Sequence, residues 1–175
     1  KSNFDFVEFH LGYQDLALNI SEYISDKQKI DFVVHSPELF SGDHIMDLCS
    51  EDTDYRNHSI GKLERVLEKT RQLKEFFPKA TQSTFVVINA GGFNKTGFLP
   101  SNKRPSMYQR VAEALNEIDL EGVELIIQTM PPFPWHFGGQ SYHNIFVDPD
   151  EIVEFCEKEN RRVCLDVSHS QMACN

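Results

Sequence analysis

Asp166 and His169 stand three residues apart in the run Cys164-Leu165-Asp166-Val167-Ser168-His169. A carboxylate ending a strand and an imidazole in the next turn can face the same side. Such a pair can hold a divalent cation such as Zn²⁺, Mn²⁺ or Mg²⁺. It can equally orient a substrate hydroxyl and shuttle a proton. A third use is structural, with Asp166 capping the turn that follows. His35 precedes the turn-forming Ser36-Pro37 and is a further imidazole ligand or, alternatively, a hydrogen-bonded loop histidine. Asn89 and Gln128 are neutral amides that can bind a hydroxyl through both ends of the side chain. Glu8 and His10 share one face of a strand by parity and are candidates for proton transfer. Pro131-Pro132-Phe133-Pro134-Trp135-His136-Phe137-Gly138-Gly139 sets Trp135 and His136 among aromatics and glycines. That composition suits a pocket wall that stacks on a ligand and excludes water, or else a self-packed surface loop.

Five short apolar runs could position these residues: 4–9, 30–35, 84–89, Val123–Gln128 and 162–166. Ile30-Asp31-Phe32-Val33-Val34 and Phe85-Val86-Val87-Ile88 are apolar nearly throughout, as parallel strands covered on both faces are. Helical patterns separate them. Ile60, Leu63, Val66, Leu67, Leu73 and Phe76 form a stripe that predicts a helix over 59–77, stopped by Pro78. Pro105 opens a helix bearing Val111, Ala114, Leu115 and Ile118 on one side. Asp148 and Pro149 supply a cap and first turn for another, and a further helix is expected over 14–25. The order β-α-β-α-β-α-β-α-β leaves a doubly wound sheet or a (β/α) barrel. No GxGxxG or Walker lysine motif is present, and no nucleotide cofactor is expected. Each run ends in a polar group, which would place Glu8, His10, His35, Asn89, Gln128 and Asp166 on one rim.

Composition narrows the partners. The chain of 175 residues has 17 basic and 27 acidic side chains, a formal charge of −10, which disfavours nucleic acid. No run of 18 apolar residues occurs, so no membrane helix is expected, and Lys1-Ser2-Asn3-Phe4 is not a signal peptide. The four cysteines, at 49, 156, 164 and 174, lack a CxxC spacing. Cys156 and Cys164 read as small buried hydrophobes, and a reducing, cytoplasmic setting fits them. The acidic segment 41–58 reads as a solvated face.

Five pieces together resemble the xylose isomerase-like barrels, the superfamily of sugar isomerases, hexulose 3-epimerases, inosose dehydratases and endonuclease IV. They are Val7-Glu8-Phe9-His10, Val34-His35-Ser36-Pro37, Val86-Val87-Ile88-Asn89-Ala90-Gly91-Gly92, Ile126-Ile127-Gln128-Thr129-Met130 and Cys164-Leu165-Asp166-Val167-Ser168-His169. The resemblance covers nearly the whole chain. It implies an α/β fold, a TIM-barrel-like parallel sheet forming one partial barrel domain over residues 1–175. The five strands look like the second to sixth of the family, with the remainder expected from a longer chain or a second subunit. In endonuclease-like members the matching positions make His35, Asp166 and His169 metal ligands, while Asn89 and Gln128 replace a histidine and a glutamate. In epimerase-like members Gln128 replaces a glutamate that is both ligand and base, and His169 matches a substrate-orienting residue. A glutamine cannot act as a general base. With the polar rim, the aromatic-glycine loop and the acidic composition, the resemblance leads to the expectation of a sugar or sugar-phosphate isomerase or epimerase with His169, Glu8 and His10 catalytic, and Asn89, Gln128, Trp135 and His136 binding a small carbohydrate. A divalent metal (Zn, Mn or Mg) would sit at His35, Asp166 and His169. The alternatives are an endonuclease IV-like nuclease and a barrel that binds carbohydrate or scaffolds without turnover.

Overall fold

In the computed structural model, which describes residues 4–79 and 83–174, five parallel strands form the main sheet. They are β1 (Phe6–His10), β2 (Asp31–His35), β3 (Thr84–Ile88), β4 (Val123–Gln128) and β5 (Val163–Cys164). Their order in space is their order in sequence. Every crossover therefore advances in one direction. A doubly wound sheet reverses direction at a switch point, whereas an arc of a barrel does not. The register pairs His10 with His35, His35 with Val87 and Cys164 with Gln128, so the carboxyl ends of the strands lie side by side.

Strand parity then separates core from rim. Phe32, Val34, Val86, Ile88, Leu125 and Ile127 are buried in the core that the helices cover. Alternate positions face the other way, which brings Glu8, His10, His35 and Gln128 onto one cavity. The sheet curls around it. Glu8 of β1 and Cys164 of β5, the two outer strands, line the same cavity.

The helices follow their sequence signals. In α1 (Thr53–Lys74), Ile60, Leu63, Val66, Leu67 and Leu73 are buried against the sheet. It starts six residues before the predicted 59 because Asp52 caps it, accepting from the amides of Asp54 and Tyr55. α2 (Arg104–Glu117) carries Pro105 in its first turn. α3 (Pro149–Glu159) is capped by Asp148 and ends at Asn160 in the left-handed conformation. α4 (Val167–Ala173) begins at Asp166.

Three expectations change. Residues 14–25 form two separate 3₁₀ turns, Asp15–Ala17 and Ile20–Glu22, because Asn19 caps the second turn and interrupts the run. Cys156 and Cys164 are only half-buried, and Cys49 is the core cysteine. Segment 41–58 is solvated at Asp43, Glu51, Asp52 and Asp54, yet Met46, Leu48 and Cys49 belong to the core. Within it Asp47 Oδ1 accepts from the backbone amides of Cys49 and Gly92, tying the segment to the turn after β3. The opening residues Lys1–Asn3 lie outside the described residues. No described helix is long and apolar enough to cross a membrane.

Candidate functional site

The turns beyond the strand ends surround a cavity of about 570 Å³. Glu8, His10, His35, Asn89, Gln128, Asp166 and His169 all line it, with Ser36, Glu38 and Cys164 between them. Seven of the nine residues singled out by sequence thus share one space. Trp135 does not line it. That side chain is 70% exposed at the base of a two-stranded ribbon, Trp135–His136 against Gly139–Gln140. His136 turns inward from the same ribbon and meets Glu38 behind the cavity wall.

Gln128 is the hub. Its Oε1 faces His35 Nε2 at 3.0 Å, and its amide nitrogen donates to Asp166 Oδ2 at 3.3 Å. The same nitrogen lies 3.2 Å from His169 Nδ1. That ring nitrogen also faces the Thr129 carbonyl at 2.8 Å, an acceptor only, so Nδ1 carries the proton there. A protonated Nδ1 cannot accept, which assigns the Gln128 amide to Asp166. The His169 tautomer leaves Nε2 as the nitrogen able to take up a proton. Asp166 Oδ1 accepts from the His169 backbone amide at 2.9 Å. The functional and capping uses of this Asp are therefore compatible, one oxygen for each. Thr129 fixes the turn by accepting from the Asp166 amide.

His35 lies parallel to His10, ring centroids 4.3 Å apart, and its Nδ1 faces the Ser36 carbonyl at 3.0 Å. Both facing atoms are acceptor oxygens, so the neutral ring donates to one of them and keeps a lone pair on the other nitrogen. The predicted metal ligands do not fit a metal in this arrangement. Both Asp166 oxygens and His169 Nδ1 stand in protein hydrogen bonds, as does one nitrogen of His35. Among the described residues, no three His, Cys, Asp or Glu side chains are grouped to hold one. The hub itself is a neutral amide.

A second polar cluster adjoins the first. His136 Nε2 and Glu38 Oε1 are 3.2 Å apart. Burial favours the neutral Glu38, but the hydrogen bond and charge of His136, with His143 and Asn89 nearby, hold its carboxyl below the usual range. His143, 2% exposed, hydrogen-bonds the Pro131 carbonyl through Nδ1 at 2.8 Å. Burial lowers its imidazole to about 4 despite that bond. Asn89 Oδ1, His136 Nδ1 and His143 Nε2 are buried without a hydrogen-bond partner. Sequence reasoning assigned no role to Glu38 or His143. Glu38 had a signal, as the last polar residue of His35-Ser36-Pro37-Glu38; His143 had none.

A larger groove of about 680 Å³ lies between α3, α4 and the loop 130–147, walled by apolar residues such as Phe98, Phe133, Leu165 and Met172. None of the nine candidate site residues lines it, but Pro132 and Phe133 of the loop read as a pocket wall do.

A single-direction arc of parallel strands with polar side chains gathered beyond its carboxyl ends defines a protein of the TIM-barrel class. Residues 1–175 match the family model of the xylose isomerase-like TIM barrel, and the chain belongs to that family. No curated protein matches the sequence. Among solved structures it is similar to a D-tagatose 3-epimerase-like protein, with 22% identity and a TM-score of 0.65 over 97% of this chain and 58% of that one. It is also similar to a D-psicose 3-epimerase crystallised with D-fructose, with 16% identity and a TM-score of 0.62 over 97% of this chain and 55% of that one. The chain thus spans just over half the length of these relatives, and at such identities the likeness is one of fold.

Proposed function

We propose that this chain carries part of the active site of a sugar isomerase or epimerase that moves a proton on the carbon next to a carbonyl. The observation behind this reading is the convergence of Glu8, His10, His35, Asn89, Gln128, Asp166 and His169 on one cavity. The similarity to two 3-epimerase folds adds to it. No lysine or arginine lines the cavity among the described residues, which favours an unphosphorylated carbohydrate and counts against a phosphodiester.

In this reading the amides of Asn89 and Gln128 hold hydroxyl groups. Asp166 holds the Gln128 amide nitrogen and, through the cap, the backbone of His169. His169, proton-bearing at Nδ1, exchanges a proton with substrate oxygen through Nε2. Glu8 accepts the carbon-bound proton, and His10, stacked on His35, is placed to return one. Because the donor set does not fit a metal, no step runs through one.

Incubation of the full chain with D-fructose, D-tagatose and related ketoses in D₂O tests this. Deuterium is expected on the carbon next to the carbonyl, at a rate reduced about a hundredfold or more in His169→Ala, the scale of general acid–base catalysis. Wild-type protein that leaves every ketose unlabelled overturns the reading.

A further inference from the structure

The Glu38 carboxylate is on the cavity wall, yet the proton chemistry above does not use it. Three separate segments meet at this side chain. Glu38 comes from the turn after β2, Asn89 from the residue following β3, and His136 from the loop after β4. A half-buried carboxylate is costly unless its lone pairs are satisfied and its charge answered. His136 Nε2, 3.2 Å from Oε1, supplies one such partner. Asn89 lies close by and helps keep the carboxyl ionised, as a neighbouring amide N–H does. Asn89 Oδ1 is itself buried without a partner, in a residue only 9% exposed, so the acceptors open to the cavity here are those of Glu38.

The wall therefore offers acceptors and is short of donors. An ionised carboxylate has about four lone-pair sites, and the two protein partners fill half of them. A polyol has the complementary chemistry, since each hydroxyl can donate one hydrogen bond to such an acceptor.

We propose that Glu38 is a ligand-contacting residue of this site, its carboxylate accepting hydrogen bonds from the hydroxyls of one carbohydrate. His136 is its positioning residue. It acts through Glu38, aiming the carboxylate from behind, and does not touch the ligand. The inference rests on the carbohydrate reading above and adds the residues that set which hydroxyl pattern is accepted. It also gives the long loop a purpose: the ribbon bearing His136 is fastened to the β2 turn by this contact, so the loop sets the wall's shape.

The test is calorimetric binding of D-fructose and its monodeoxy analogues to the full chain and to Glu38→Gln, His136→Phe and the double variant, each first checked for an unchanged circular dichroism spectrum. Removing one hydrogen bond to a charged acceptor should weaken fructose binding about tenfold to a hundredfold in Glu38→Gln. The deoxy analogue lacking the contacted hydroxyl should bind wild type and Glu38→Gln equally. His136→Phe should weaken binding alone but add little to Glu38→Gln, as coupled partners do. Fructose binding unchanged in Glu38→Gln, or a loss equal for every analogue, overturns the proposal and leaves the carbohydrate reading standing. Absence of sugar binding to wild type overturns both.

Discussion

Replacing the hub amide by a carboxylate, Gln128→Glu, probes the network most severely. The Gln128 amide nitrogen is 3.3 Å from Asp166 Oδ2, so the variant sets two carboxylates against each other. Two unit charges at that separation repel by about 5 kcal/mol at an effective dielectric near 20. The protein avoids part of this by keeping a proton on the pair. The cost at neutral pH then becomes that of holding a carboxyl proton roughly two to three pH units above its ordinary pKa, about 3–4 kcal/mol. Partial solvent access at Asp166 favours the lower end of that range. The sign follows from linkage. The folded variant binds more protons than its unfolded chain between the ordinary carboxylate pKa and the raised one, so its stability falls as pH rises through that window. Urea unfolding of wild type and variant between pH 4.5 and 8 measures it. The deficit should be small at the acid end and full at pH 8. A divalent cation between the two carboxylates should relieve it, so Mn²⁺ should stabilise Gln128→Glu much more than wild type. A variant as stable as wild type at pH 8, or a deficit independent of pH, would refute the placement of Gln128 between His35 and Asp166.

Three further outcomes follow from single contacts. Asp166→Ala removes the cap on the His169 amide and should cost about 1 kcal/mol in urea unfolding, with the Asp166→Asn variant costing less. His143 is held neutral by burial with its imidazole near 4, so wild-type stability should fall by about 3 kcal/mol as pH drops from 6.5 through 4, and His143→Gln should flatten that slope. Gly91 has φ +88°, and a Cβ there would lie 2.4 Å from the Asp47 Cα, so Gly91→Ala should lower stability by roughly 2 kcal/mol or more in thermal unfolding.

Much of the positioning was legible because strands and caps write short-range patterns. Val86-Val87-Ile88 and Leu125-Ile126-Ile127 could only be covered strands, and Asp148-Pro149 marked a helix start that the structure keeps. Strand parity was enough to put Glu8 and His10 on one face, and their common cavity followed once β1 paired with β2. What escaped were contacts between loops distant in sequence. Glu38 and His136 are separated by 98 positions, and no local pattern links them. Trp135 was read with its loop as a pocket wall, but the ribbon turns it outward while it turns His136 in. The helix expected over 14–25 was the least marked in the sequence, and one residue, Asn19, was enough to break it by hydrogen-bonding the following turn.

The central claim is that the space between the strand ends is where a carbohydrate binds. A crystal structure of the full chain soaked with a ketose at a concentration that saturates binding in solution tests it most directly. The account predicts sugar density in the cavity of His35, Gln128, Asp166 and His169, with hydroxyls within hydrogen-bond distance of Asn89 and His169 Nε2. Sugar seated instead in the apolar groove beside Phe98 and Phe133, with that cavity holding only solvent, would contradict it.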